Sequence, residues 1–280
     1  MPGFRDDPRG FLAGLFHEAV AAADPERALA DALPARPAGK TVVVGAGKGA
    51  AQLAAAFERL WDGPLEGAVV TRYGYGADCA RIEVLEAAHP VPDDAGLVAS
   101  ERLLAAVSGL GPDDLVVALV CGGGSALLPA PPPGMTLDDE AAVNRALLAS
   151  GAPISAMNAI RKHLSRIKGG RLAAAAAPAR VVSLVVSDIP GDDPALVASG
   201  PTVPDRAGRA EALAAIDRHG VALPPAALDW LGSEACAAPR PDDAVFARNA
   251  VAVIASARLS LEAAALAAER AGVSAAIVGD

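Results

Sequence analysis

Two glycine loops, each entered from an apolar run, hold most of the residues able to do chemistry. In "TVVVGAGKGAAQ", Gly45, Gly47 and Gly49 let the backbone approach a ligand, and the helix that follows offers its N-terminal amides to an anion. Lys48 stands inside that turn, where a cation reaches a phosphate. The loop is not a phosphate-binding GxxxxGK[ST] motif, because the lysine comes too early and no hydroxyl follows it. It comes near GxGxxA, the dinucleotide pattern, which needs an acidic residue about twenty positions on. Thr71 and Arg72 of "VVTRYGYG" stand there instead. In "LVVALVCGGGSALL", Gly122, Gly123, Gly124 and Ser125 supply a nest of amides and one hydroxyl. No G-x-S-x-G elbow is present, so a hydrolase nucleophile is not supported. Close packing of helix on strand is the competing use of these glycines.

A third cluster follows another apolar run, in "VVSDIPGDDPALVASGPT". Asp188, beside Ser187, is placed to hold Mg²⁺ through water or to accept a proton from a substrate hydroxyl. Asp192 and Asp193 flank the same turn and either join a metal site or cap a following helix. Ser199, Gly200 and Thr202 add polar groups to that loop. His89, in "AAHPVPDDAG", reads as a turn histidine bonded to backbone.

The stretch "NAIRKHLSRIKGGR" is basic in an acidic chain: the net charge is −9, yet the segment from Ala141 to Ser187 holds seven Lys/Arg and no Asp/Glu. On a helix, Asn158, Arg161, Lys162, Ser165 and Lys168 fall within a stripe of about 120°, with Met157, Ile160, Leu164 and Ile167 opposite. The expectation is a helix docked by its apolar side that presents donors to an anion. Gly169 and Gly170 end it, and a second helix begins at Arg171. Arg166 and His163 lie off the stripe.

These clusters need a scaffold. Short Val/Ile/Leu runs alternate with helical patterns, which predicts a mostly parallel sheet with helices on both faces: an α/β, Rossmann-like, three-layer fold. In such sheets ligands sit beyond the carboxyl ends of the strands, where the three clusters lie. Aromatics are only 3% while hydrophobic residues reach 52%, which fits alanine-rich helices packed on an aliphatic sheet. Residues 1–240 read as this domain and 241–280 as the beginning of a second α/β part. The ending "VSAAIVGD" reads as a buried strand, so a continuation beyond Asp280 is expected. A sequence pI near 5.0 argues against nucleic acid as a partner. No apolar run is long enough for a membrane span, and the start resembles no signal peptide, so a cytoplasmic protein is expected. Cys79, Cys121 and Cys236 form neither a disulfide framework nor a zinc spacing.

Together "VGAGKGA", "AAHPVPDDAGL", "CGGGSALL", "IRKHLSRIKGGRLA" and "VSDIPGDDPALVASGPTVPD" resemble the glycerate 2-kinases of the MOFRL family, some relatives of which are labelled hydroxypyruvate reductases. The resemblance runs from about residue 10 to residue 280. It implies transfer of the ATP γ-phosphoryl group to the 2-hydroxyl of D-glycerate with Mg²⁺, in a cleft between two α/β domains. Lys48 matches the family's catalytic lysine, and Asp188 fits a metal ligand or base. The glycine loops, Ser125 and the basic stretch with Arg171 would contact nucleotide or substrate, without a division between the two. A homodimer is an open expectation. The "GGRNQE"-like and "TDG"-like motifs of the family's C-terminal domain are absent from this chain. Two alternatives remain: an NAD(P)H-dependent hydroxypyruvate reductase, and a ligand-binding fragment without turnover.

Overall fold

A computed structural model of the chain describes residues 3–204 and 206–280. The elements run α1 (Pro8–Ala22), α2 (Pro25–Ala30), β1 (Thr41–Ala46), α3 (Ala50–Leu60), β2 (Glu66–Arg72) and β3 (Ile82–Ala87). Next come α4 (Asp94–Val107), β4 (Leu115–Cys121), α5 (Gly124–Leu127), α6 (Leu137–Ala149), α7 (Ile154–His163) and α8 (Arg171–Ala175). The chain continues through β5 (Arg180–Val186), α9 (Arg209–His219), α10 (Pro225–Gly232), β6 (Ala250–Ala255) and α11 (Ala257–Arg270). The strands form one parallel sheet in the order β3-β2-β1-β4-β5-β6. The order reverses between β1 and β4, so the loops leaving those strands diverge to opposite faces and leave a crevice there.

Alternate residues of β1 feed two cores. Val42, Val44 and Ala46 join Leu103 and Leu172 on one face, while Val43 joins Leu53, Phe57 and Trp61 on the other. Burial on both faces is what the unbroken apolar runs require. A third core, built from Leu147, Ile160, Ala212 and Leu231, holds α6, α7, α9 and α10 together as a helical module.

The segment 241–280 places β6 at the edge of this same sheet, paired with β5, and packs α11 against α1. The expected strand "VSAAIVGD" does not form: residues 273–280 carry no regular structure, and Val278 is fully exposed. An apolar run becomes a strand only where a neighbour takes up its backbone donors and acceptors, and none among the described residues does so here. No helix among the described residues is long and apolar enough to cross a membrane.

Candidate active site

Strand register brings the glycine loops together. Ala46 lies beside Val120, and Cys121 beside Val186, so the residues that follow them converge at the crevice. The Lys48 amide donates to the Gly122 carbonyl at 2.9 Å, and the Thr71 hydroxyl donates to the Lys48 carbonyl at 3.3 Å. Thr71 is fully buried, so the residue standing where a ribose-reading acid would be is committed to holding the lysine loop. The Lys48 Nζ reaches 3.4 Å from Asp188 Oδ2, with both side chains about half exposed.

Two glycines make room for this pair. A Cβ on Gly122 would lie inside the Asp188 carboxylate. Gly123 has φ +84, and its Cβ would stand 2.8 Å from Lys48 Cε and 3.1 Å from His89 Nε2. Gly45, Gly47 and Gly124 serve packing instead: the first two lie too close to the β4 backbone for a side chain, and Gly124 lies against the Ala198 methyl and the Ala46 carbonyl. Gly49 is open, with only the Cys121 Sγ at 3.8 Å. Burial pushes the Cys121 thiol up to about 12, so it is no nucleophile.

His89, read from the sequence as a turn histidine, faces this centre. Burial lowers its pKa, and the Lys48 and Arg72 charges lower it further against an opposing pull from Asp188. Its turn is held by Asp93, whose carboxylate accepts from the Ala88 and Gly96 amides at 3.2 and 3.1 Å and from the Tyr73 hydroxyl at 2.7 Å. Burial opposes the charge on Asp93, but these donors overcome it and hold the carboxyl below its usual range. The Arg72 guanidinium stacks over the Tyr75 ring at 3.5 Å.

Beyond Gly123 a cavity of about 350 Å³ opens towards the helical module, lined by His89, Ser125, Asn144, Arg145 and Arg161 among others. A second, of about 270 Å³, lies on the Lys48, Gln52 and Asp188 side. The Ser125 and Ser199 hydroxyls are 2.8 Å apart. Ala198 and Ser199 adopt left-handed backbone, with φ +51 and +61, a strain sustained by bonds from the Gly169 and Gly170 amides to the Ser199 and Gly200 carbonyls. Gly169 and Gly170 thus act through the loop they hold. Asn144 and Arg145 carry no motif, and their place at the cavity emerges only from the position of α6.

The basic stretch departs from expectation. The helix ends at His163, and Asn158, Lys162, Ser165 and Lys168 are buried, not turned to a ligand. The cause is Ser165, whose hydroxyl accepts from the Ile167 and Lys168 amides at 3.3 and 3.2 Å and replaces helical bonds with a turn. Lys168 then pairs with buried Glu140 at 2.7 Å. The Arg171 guanidinium donates to the Cys236 carbonyl at 2.7 Å, and Arg166 pairs with Glu101. Of the predicted stripe only Arg161 lines the cavity, its Nε donating to Asn144 Oδ1 at 2.8 Å.

The polar loop after β5 divides likewise. Thr202 is buried, its hydroxyl 2.7 Å from that of Ser183, and Ser187 bonds within its own turn to Ile189. Asp193 caps the Ala195 amide at 2.9 Å, and Asp192 has φ +53. Among the described residues no group of three or more His, Cys, Asp or Glu side chains could hold a metal. Asp188, half exposed at a strand end beside Lys48, could serve as a carboxylate ligand for Mg²⁺, since that ion often takes one or two carboxylates and completes its shell with phosphate and water.

A doubly wound parallel sheet with a lysine–aspartate pair at its switch point defines an α/β protein with a charged cleft at the strands' carboxyl ends. Residues 11–232 match the family described as "Domain of unknown function (DUF4147)", and the chain belongs to that family. It is 39% identical over 206 residues to the D-glycerate 2-kinase of Thermotoga maritima, covering 73% of this chain and 49% of that protein. An Agrobacterium vitis protein provisionally named hydroxypyruvate reductase is 53% identical over 275 residues, covering 97% of this chain and 61% of that one. The crystal structure of Thermotoga maritima glycerate kinase superposes with a TM-score of 0.87 at 31% identity, covering 96% of this chain and 64% of that one. The chain therefore spans about half to two thirds of the length of these relatives.

Proposed function

We propose that the chain carries the phosphotransferase site of a glycerate 2-kinase, transferring the ATP γ-phosphoryl group to the 2-hydroxyl of D-glycerate to give 2-phosphoglycerate in the cytoplasm. The observation that carries this reading is Lys48 held 3.4 Å from Asp188 at the switch point, with glycine loops on either side. Homology to proteins named glycerate kinases supports it. Phosphoryl transfer asks mainly for positioning and charge stabilisation. Lys48, fixed through its own amide and carbonyl, would neutralise charge on the transferring group. The acceptor oxygen bonds to the γ-phosphorus as the bond to ADP breaks, and its proton leaves to a base or to solvent. Mg²⁺, when bound, would shield the phosphate charges. Asp188 would hold that ion or take the hydroxyl proton.

The name of the Agrobacterium relative favours a second reading, reduction of hydroxypyruvate. That chemistry lacks its ribose-reading acid, because Thr71 occupies the position and is bonded to the lysine loop. Incubation with D-glycerate and Mg-ATP, and separately with hydroxypyruvate and NADH or NADPH, separates the two. Glycerate-dependent ADP release supports the kinase, and nicotinamide oxidation without ADP release overturns it. ATP binding without turnover would favour a ligand-binding role for the chain on its own.

A further inference from the structure

The cavity beyond Gly123 has an uneven wall. One side is apolar, with Pro90, Pro92 and Leu148, and the other carries Arg145 and Arg161. Arg161 is half-buried, and burial lowers its pKa against the pull of Glu140. A guanidinium nonetheless stays protonated in proteins, so its charge stands in a poorly solvated place. Glu140 acts on that charge only from a distance, its carboxylate being bonded to Lys168 at 2.7 Å and to the Ala130 amide at 3.2 Å. Among the described residues neither Arg145 nor Arg161 is in an ion pair with a carboxylate. Asn144 fixes Arg161 through Nε, which leaves the two terminal nitrogens of the fork for another partner. Two arginines, one of them oriented, beside an apolar wall suit a small organic anion.

We propose that this cavity seats the carboxylate of a small hydroxy acid, with Arg161 as the oriented donor and Arg145 as its exposed companion. The assignment rests on the phosphotransferase reading, which supplies a hydroxy-acid acceptor. It places the acceptor's acid end on α6 and α7 and its hydroxyl end towards Gly123, where Lys48 and His89 meet. Asn144 is then a positioning residue that acts through Arg161.

The test is calorimetric binding by the full chain, with D-glycerate, glycolate, L-lactate, neutral glycerol and inorganic phosphate as separate probes. Wild type is expected to bind at least one of the carboxylates and not glycerol. Arg161→Ala and Arg161→Lys should weaken that affinity about ten- to a hundredfold, the worth of a charged hydrogen-bonded contact, and leave ATP affinity unchanged. Arg145→Ala, at an exposed position that does not endanger folding, should weaken it in the same direction. The proposal is overturned if no carboxylate binds, if glycerol binds as well, if only phosphate shows the arginine dependence, or if the arginine variants keep wild-type affinity. Arginine-dependent carboxylate binding without ATP turnover would support this seat and sink the kinase reading. Turnover indifferent to Arg145 and Arg161 would do the reverse.

Discussion

Lys48 is held from three directions: its amide by Gly122, its carbonyl by Thr71, and its ammonium by Asp188. The two backbone bonds would survive a substitution, whereas the ammonium–carboxylate contact would be lost. Lys48→Ala is expected to lower glycerate phosphorylation by at least about 10²–10³-fold, as loss of one preorganised charge-stabilising donor does, while the circular dichroism spectrum stays native. Gly122 is a second sensitive point, because a methyl group there would displace the Asp188 carboxylate. Gly122→Ala should cost about a hundredfold in turnover, the usual effect of a 1 Å misplacement, and Gly49→Ala, in open space, should cost far less. His89 makes a pH-dependent prediction. Its ring should titrate below 6.5 by NMR; Lys48→Met should raise the midpoint and Asp188→Asn lower it, following the sign of each charge. Because the folded value is depressed, the histidine disfavours folding only as pH falls below 6.5. At this scale the sequence marked Lys48, Gly122 and Asp188, each at the end of an apolar run. His89 was undervalued because its setting depends on Lys48 and Gly123, which no spacing along the chain reveals.

Among the elements, α7 is the instructive case. Helical periodicity predicts Asn158, Arg161, Lys162, Ser165 and Lys168 as one side of a helix, but only the first three lie on α7, which ends at His163. It could not say that Ser165 would break the helix, nor that α6 would bring Glu140 against Lys168. The charge of Lys168 therefore serves the helical module, not a ligand. Lys168→Met should destabilise the protein by about 3–5 kcal/mol, because it leaves Glu140 buried without its partner. Urea denaturation measures this, and unchanged stability with lost substrate affinity would return Lys168 to the binding site. The ends of β1, β4 and β5 do converge, since parallel register aligns strand ends with little dependence on side-chain detail. Asp93 shows an element end serving the site: it caps α4 and holds the His89 turn through the same carboxylate.

For the molecule as a whole, the layered α/β fold was legible because burial on both faces leaves unbroken apolar runs, as in β1 and β4, while β3 and β6 at the two sheet edges are only partly buried. The ending misled for the same reason, an apolar composition without a neighbouring strand to pair it. Residues 274–280 are mostly exposed and carry no regular structure, so their removal should leave the urea midpoint unchanged within error. A large loss would mean that they pack in solution. The helical module and the sheet have separate cores and meet across the cavity of Arg161 and His89. That junction is where a substrate would sit. The proposed transfer of phosphate from ATP to the 2-hydroxyl of D-glycerate at the Lys48–Asp188 centre is tested most directly by ³¹P NMR of the full chain with Mg-ATP and D-glycerate. A 2-phosphoglycerate signal growing with the ADP signal, and absent with Lys48→Ala, is the predicted result; undiminished product from the Lys48→Ala chain, or nicotinamide-dependent consumption of hydroxypyruvate with no phosphorylated product, would contradict it.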